Sequence, residues 1–372
     1  MLKIGITGQA GFVGTHLYNT LGLHPEEFER IPFKKDYFSD QQQLEKFVKQ
    51  CDVIVHLAAL NRHNHPKVIY DTNIELAQKL VNALEFTKTK AHVIFSSSTQ
   101  EERNNEYGRS KKEARKLLFN WSQESGGKFT GLIIPNVFGP FGYPNYNSVI
   151  ATFCHKLAHN ETPTIAVDGE LKLIYVGELV EVLISEIRNT NSNAEMMVPY
   201  TATAKVSEIL HVLEKYKSEY QEKGIIPEIH STFELNLFNT FRCYMDIATH
   251  FPVSFVEHTD DRGSFVEIIR LGVGGQVSFS TTVPGITRGN HYHTRKIERF
   301  AVIKGKALIQ LRRIGTDEVL DFYLDGDAPS YVDMPIWYTH NIKNIGDEVL
   351  YTNFWINEFY DPKDPDTYFE NV

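Results

Sequence analysis

The sequence predicts two domains of different class. Residues 1–245 form an α/β half on a doubly wound parallel sheet, and residues 246–372 form an all-β barrel of jelly-roll type. Three observations carry this. A buried-strand pattern at Leu2–Thr7 runs into glycines at 8, 11 and 14, then into a helical pattern from Thr15. Strand and helix patterns alternate from there onward, which is the signature of a parallel sheet. After the switch region Arg242 to Val256, short β-rich runs punctuated by glycines replace the helical periodicity. At 372 residues the chain is long enough for a core in each half.

The composition is that of a globular protein, 42% hydrophobic and 23% charged. A net charge of -9 argues against general nucleic-acid binding. An anionic substrate must then be held by local arginine, lysine or helix N-termini. The three cysteines, Cys51, Cys154 and Cys243, form no disulfide framework or CxxC site, so a reducing compartment is expected. No apolar run approaches the roughly 20 residues of a membrane span, and Met1–Ile6 does not read as a signal peptide. The expected location is cytoplasmic, with no membrane partner.

Taken in order, Gly8-Gln9-Ala10-Gly11-Phe12-Val13-Gly14 links a strand to a helix. Glycines there let backbone approach a pyrophosphate, whose charge the helix N-terminus favours. Gly8, Gly11, Phe12 and Gly14 are therefore candidate dinucleotide contacts. Phe28–Phe33 is the expected second strand, followed by Lys34-Lys35-Asp36. A basic residue at this place takes a ribose 2′-phosphate and an acidic one a 2′-hydroxyl. The two lysines come first, so NADP(H) is expected, with Asp36 leaving NAD open. Asp52–Leu57 is the third strand, and the small residues Ala58 and Ala59 after it let a dinucleotide lie close; Leu57 and Ala58 are the candidates. His92–Phe95 ends in Ser96-Ser97-Ser98-Thr99, and Tyr107 and Lys111 lie four apart, on one helix face. An ammonium beside a phenol is expected to lower its pKa and make it a usable acid or base.

The second domain carries a different chemistry. Gly285, His291, His293, Glu298 and Gly305 are followed by Pro335, His340 and Asn344. Residues two apart on a strand share a face, so His291 and His293 can reach one point. Glu298 and His340 complete a shell of three imidazoles and a carboxylate suited to zinc, iron or manganese.

These motifs resemble known families. The spacing from Gly285 to Gly305 is similar at every position to the first signature box of the cupin family, small β-barrels with a metal inside. The second box departs once, with Trp337 where that family usually has glycine. The N-terminal half resembles the extended short-chain dehydrogenase/reductases, whose sheet is a Rossmann fold. The resemblance rests on the glycine turn, His56-Leu57-Ala58-Ala59, Ser96–Ser98, Tyr107-x3-Lys111, Asn136-Val137-Phe138-Gly139-Pro140 and Ile174-Tyr175-Val176. It implies catalysis by Ser98, Tyr107 and Lys111 on a sugar C4 carbonyl, with Tyr107, Lys111 and Asn136 at the cofactor. It also places substrate at Asn136 and at Asn145 and Asn147 in the Pro144–Ser148 segment. Only eight residues separate Ser98 from Tyr107, fewer than is usual in that family. Asp260–Glu267 resembles the DxRGxF stretch of deoxysugar 3,5-epimerases, which makes Arg262, with Arg288, a substrate candidate.

Reductase followed by metal cupin resembles the CapF/WbjC family of capsular-polysaccharide enzymes. The resemblance implies a bifunctional enzyme on the route to UDP-N-acetyl-L-fucosamine. Its cupin would epimerise C3 of a UDP-2-acetamido-2,6-dideoxy-4-hexulose. Its first domain would reduce C4 with NADPH to the L-talosamine-type sugar. Zinc is the expected ion, and a homodimer, formed through the cupin, the expected assembly. Two alternatives remain open: a plain reductase with a sugar-binding or dimerising cupin, and a reductase fused to an iron oxygenase.

Overall fold

The computed structural model describes residues 1–189, 191–261 and 263–372. Its contacts form two compact units, Met1–Thr152 with Val167–Val206, and Phe153–Ala166 with Ser207–Val372.

The first unit alternates strands and helices: β1 (Leu2–Thr7), α1 (Phe12–Leu21), β2 (Phe28–Ile31), α2 (Gln41–Gln50), β3 (Val53–His56), α3 (Pro66–Thr87), β4 (His92–Ser98), α4 (Glu106–Ser125) and β5 (Lys128–Ile134). Then come β6 (Asn136–Phe138), α5 (Val149–Ala158), which counts with the second unit from Phe153 on, β7 (Glu170–Tyr175), α6 (Val176–Arg188), β8 (Asn193–Met197) and β9 (Ala202–Lys205). Six strands pair in the order β2-β1-β3-β4-β5-β8, every pair parallel. The expected doubly wound sheet is thus present, and its pleat explains it. Ile54, Val93 and Phe95 point to the face covered by Leu44, Phe47, Leu80, Leu84 and Leu118 of α2, α3 and α4. Val53, Val55 and Ile94, one residue out of step, point to Leu17, Leu21, Leu179 and Leu183 of α1 and α6. Both faces are buried, so the strands read as continuous apolar runs. The strand order reverses at β1, and the crevice for a ligand opens at the carboxyl ends of β1 and β3.

Beyond the end of α5, the second unit resumes with helices. These are α7 (Val206–Tyr216), a π-helical turn at Lys217–Gln221, α8 (Thr232–Arg242) and α9 (Ile247–His250). Its strands are β10 (Val253–Ser254), β11 (Glu257–Asp260), β12 (Gly263–Val266), β13 (Gln276–Thr282), β14 (Thr287–Tyr292), β15 (Glu298–Lys304) and β16 (Lys306–Arg313), then β17 (Val319–Asp325), β18 (Ser330–Met334), β19 (Tyr338–Asn344), β20 (Leu350–Ile356) and β21 (Tyr368–Phe369). Two antiparallel sheets, β10-β18-β15-β20-β13 and β17-β16-β19-β14-β21, enclose one core. Ala301, Val332 and Leu350 face it from one sheet, Ile309, Leu311, Phe322 and Ile342 from the other. This is the expected all-β barrel.

The change from helical to β-rich sequence near residue 245 marks a change of element, whereas the contacts divide the chain after residue 206. Helical residues 207–250 pack on the barrel through buried polar bonds. Arg299 grips Asp333 at 2.7 and 3.0 Å, Tyr220 donates to the same carboxylate at 2.6 Å, and Arg242 donates to the Met334 carbonyl at 3.0 Å. Asp333 is fully buried. Burial pushes its carboxyl up, but Arg299 outweighs this and holds it below the usual range.

Candidate active and metal sites

The crevice at the end of β1 is made by backbone contact. Gly8 has φ +78°, and a Cβ on it would lie 2.8 Å from the Ala58 nitrogen. A Cβ on Gly14 would lie 2.2 Å from the Gly8 carbonyl oxygen. Only glycine lets α1 start this close to the strand. Gly11 is the N-cap of α1, with no side-chain cap and no acidic residue in the first turn, so its amides are available to an anion. Phe12 opens the helix and packs its edge on His16. Leu57 donates its amide to the Thr7 carbonyl at 3.1 Å, placing Leu57 and Ala58 beside the glycine turn. Beneath them the buried His56 meets the Thr7 hydroxyl at 2.6 Å. Burial, with Lys111 nearby, pulls its pKa down to about 3, so the ring is neutral. The Gln9 side chain accepts the Phe33 amide at 3.3 Å, which draws the end of β2 toward the turn. Lys34, Lys35 and Asp36 follow, all exposed.

The reacting groups lie at the ends of β4 and α4. Lys111 is buried, and its ammonium donates to the Ser96 carbonyl at 2.7 Å. Its nitrogen sits 4.8 Å from the Phe95 ring centroid and 5.9 Å from that of Tyr107. Burial pulls the Lys111 pKa down to about 7, with Glu101 opposing. Tyr107 is half-buried, and burial, with Tyr146 adding to it, pushes its phenol well up. The expected lowering of the phenol pKa by Lys111 is therefore not found. The lysine faces a carbonyl, and loss of water outweighs its charge. Ser98 accepts the Gln100 amide at 3.2 Å, Ser96 donates to the His56 carbonyl at 3.2 Å, and Ser97 donates to Glu101.

The short link from Ser98 to Tyr107 is a 3-10 turn, Thr99–Glu102, fastened by Arg115 on Glu101 at 2.8 and 2.9 Å. Asn105 caps α4 by accepting the Gly108 amide at 2.7 Å. The turn folds back so tightly that a Cβ on Gly108 would lie 2.0 Å from the Gln100 carbonyl oxygen. Glu101, Arg115 and Gly108 were not legible as a set, because no local pattern pairs residues 14 apart.

A cleft of about 560 Å³ opens nearby, lined by Arg62, Asn145, Tyr146, Asn147, Ser148 and Thr152. Asn145, with φ +55°, and the exposed Asn147 stand on its loop. The loop is held by Arg62, which donates to the Asn145 and Tyr146 carbonyls at 3.0 and 3.1 Å. Arg62 lies 83 residues away in sequence, which is why sequence reading passed over it. Asn136 is exposed on β6 and donates to the Lys172 carbonyl at 3.1 Å.

In the barrel, His291, His293, Glu298 and His340 each offer a ligand atom, and all four lie within 4.8 Å of one another. They come from the end of β14, the residue after it, the start of β15 and the middle of β19. Glu298 stands 2.9 Å from His293 Nε2 and 3.1 Å from His340 Nε2. Burial pushes its carboxyl up, but these two contacts outweigh it and hold the carboxyl low. Burial and the neighbouring imidazoles pull His291 down to about 4. His340 Nε2 is buried, and its one close acceptor, the Glu298 carboxylate at 3.1 Å, is poorly aligned for a hydrogen bond. Converging bases with a buried nitrogen that lacks a well-aligned partner fit a divalent cation. Trp337 stands at the turn before His340. It takes the glycine-like conformation itself, φ +61°, held by stacking on Tyr292 at 5.6 Å and by its amide on the His293 carbonyl at 2.8 Å. Arg288 is exposed and donates to the Thr281 carbonyl at 3.3 Å. Arg262 lies outside the described residues.

Residues 4–198 match the NAD dependent epimerase/dehydratase family, and residues 258–368 match the polysaccharide biosynthesis C-terminal domain. The chain is 32% identical over 369 residues to the UDP-2-acetamido-2,6-beta-L-arabino-hexul-4-ose reductase of Pseudomonas aeruginosa, covering 99% of this chain and 98% of that one. It is 36% identical to the crystal structure of the capsular polysaccharide assembling protein CapF of Staphylococcus aureus, with full coverage of both and a TM-score of 0.63. The spore coat polysaccharide biosynthesis protein SpsL of Bacillus subtilis is 28% identical over 121 residues, 30% of this chain and 80% of that one. The chain belongs to the NAD dependent epimerase/dehydratase family, in the CapF-like group that joins this domain to a cupin of polysaccharide biosynthesis.

Proposed function

We propose that the protein reduces the C4 ketone of a UDP-activated 2-acetamido-2,6-dideoxy-4-hexulose with NADPH, and that its cupin first inverts C3. The observation that carries the reading is Tyr107, held as a neutral phenol at the switch-point crevice beside the Arg62–Asn145 cleft. NADPH, when bound, supplies the hydride. Reduction of a ketone also needs a proton on the new alkoxide, and the Tyr107 hydroxyl, protonated at neutral pH, is the group placed to give it. Ser98 stands at the strand end as a second hydroxyl for the same oxygen. Lys111, 5.9 Å from the Tyr107 ring centroid, then lies near a phenolate, whose charge favours the lysine's protonated form. Lys34 and Lys35 support the 2′-phosphate assignment. Arg62, Asn145 and Asn147 line the cleft for the nucleotide sugar.

The C3 proton is acidic because it lies next to the C4 ketone. Its removal gives an enolate, reprotonation on the other face inverts the carbon, and reduction then removes the ketone. The metal, for which zinc suits the His291, His293, Glu298 and His340 donors, would hold β14, β15 and β19 together and offer a Lewis acid. A homodimeric, cytoplasmic enzyme completes the reading. The experiment is incubation of the protein with such a UDP-4-keto sugar in deuterated water. Deuterium at C3 without NADPH, and the reduced sugar only with NADPH, is the expected result. Reduction with no C3 exchange under any condition would leave a plain reductase with a non-catalytic cupin.

A further inference from the structure

The last residues of the chain are held against the barrel from one end to the other. Arg295 meets Glu358 at 3.1 Å and Asp364 at 2.9 Å, Lys296 donates to the Pro365 carbonyl, and Thr339 donates to the Glu370 carbonyl. Between them β21 pairs with β14, setting Phe369 opposite His291 and Tyr368 opposite Tyr292. The strap thus runs beside the strand that carries His291 and leads directly into His293, two of the four candidate ligands.

Its centre is Asp366. This residue is 2% exposed, in a left-handed conformation with φ +39°. Its carboxylate collects the amides of Thr294, Arg295 and Lys296, each at 3.0 Å, and the Thr294 hydroxyl at 2.6 Å. A buried carboxylate with four donors is firmly placed. Its backbone carbonyl, fixed by the same bonds, accepts from His293 Nδ1. A carbonyl can only accept, so Nδ1 carries the ring proton. That leaves Nε2, the atom 2.9 Å from Glu298, as the nitrogen that faces the other three ligands.

We propose that Asp366 is a positioning residue for metal capture. The strap chooses the tautomer and ring angle of His293, and the four ligands form a competent site only with the C-terminal segment docked. The inference rests on the metal reading of the cluster. Hydrogen-bond partners of this kind typically change metal affinity by about 10–100-fold.

The test uses the full chain, stripped of metal and titrated with Zn2+ against a chromophoric chelator, with Co2+ absorption reporting ligand geometry. Wild type is expected to take one ion per chain. Asp366→Ala should bind about 10–100-fold more weakly and change the Co2+ spectrum. Asp366→Asn, which keeps an acceptor oxygen, should recover part of the loss. Thr294→Ala removes one of the four donors and should weaken binding by a few-fold; it decides the matter should Asp366→Ala fail to fold. Wild-type affinity in Asp366→Ala, or in Thr294→Ala where it stands alone, overturns the positioning role and leaves the metal reading intact. No stoichiometric ion in wild type overturns both.

Discussion

At the scale of single residues, the reductase crevice is unusual in what it buries. Lys111 is an ammonium placed in apolar surroundings with a carbonyl rather than a carboxylate as its nearest partner. Its folded pKa of about 7 lies below that of an unfolded lysine, so the folded chain binds fewer protons between the two values. The cost of the charge is full below about pH 7, and it disappears as pH rises through the unfolded value of roughly 10.4. Lys111→Met is therefore expected to melt at or above the wild-type temperature at pH 6–7, an advantage that fades toward pH 10. The same variant should reduce the keto sugar at least 100-fold more slowly, on the order expected for an acid–base group. A lower melting temperature at pH 6 would contradict the burial argument. Tyr107→Phe keeps the ring and removes the acid. Its turnover should fall by roughly 10²–10⁴ while NADPH affinity stays within about threefold, read by fluorescence titration.

At the scale of elements, two turns set the geometry. The first is the Thr99–Glu102 turn against the start of α4. Gly108→Ala would push its Cβ into the Gln100 carbonyl, 2.0 Å away, and either the turn or Tyr107 must shift. A loss of about 1–3 kcal/mol in stability is expected, with kcat falling more than KM rises. Unchanged kcat would show that the turn does not position Tyr107. The second is the exit of β2, which Gln9 draws toward the glycine turn. Replacing Lys34 and Lys35 together with alanine should weaken NADPH binding tenfold or more and leave NADH nearly untouched. Wild type that prefers NADH would assign the ribose contact to Asp36 instead.

At the scale of the molecule, the two compact units carry different chemistry and different means of stabilisation. The first rests on two apolar layers around a parallel sheet. The second holds four basic or acidic candidate ligands, three of them buried, that crowd one point, plus a buried Arg299–Asp333 pair. Metal removal should therefore act on the second unit. After chelation, amide exchange should rise first in β14, β15 and β19, and the midpoint of that unit's melting should drop by several degrees. NADPH binding should be retained. Exchange that rises equally in β1 and β3 would show that the metal supports the whole chain. No helix among the described residues is long and apolar enough to cross a membrane.

The amino-acid pattern alone determined what depends on local geometry and periodicity. The glycine turn, the strand-helix alternation, the i,i+4 pair Tyr107–Lys111 and the two histidine boxes are readable because each lies within one element or one turn. The spacing of Gly8, Gly11 and Gly14 is enough to point to a close approach of backbone. Trp337 marks where that legibility ends. Its left-handed backbone looks forbidden by residue type and is tolerated because Tyr292 and the His293 carbonyl hold it. Packing and burial decided the rest. The Tyr107 phenol is raised rather than lowered, since desolvation depends on what surrounds the side chain and not on the spacing of two residues. Arg62 on the Asn145 loop, Arg115 on Glu101, and Asp366 on His293 join positions 83, 14 and 73 residues apart. No periodicity encodes such pairs. They exist because the tertiary fold brings donor and acceptor together, at the surface for Arg62 and Asn145 and largely shielded from water for Arg115–Glu101 and His293–Asp366.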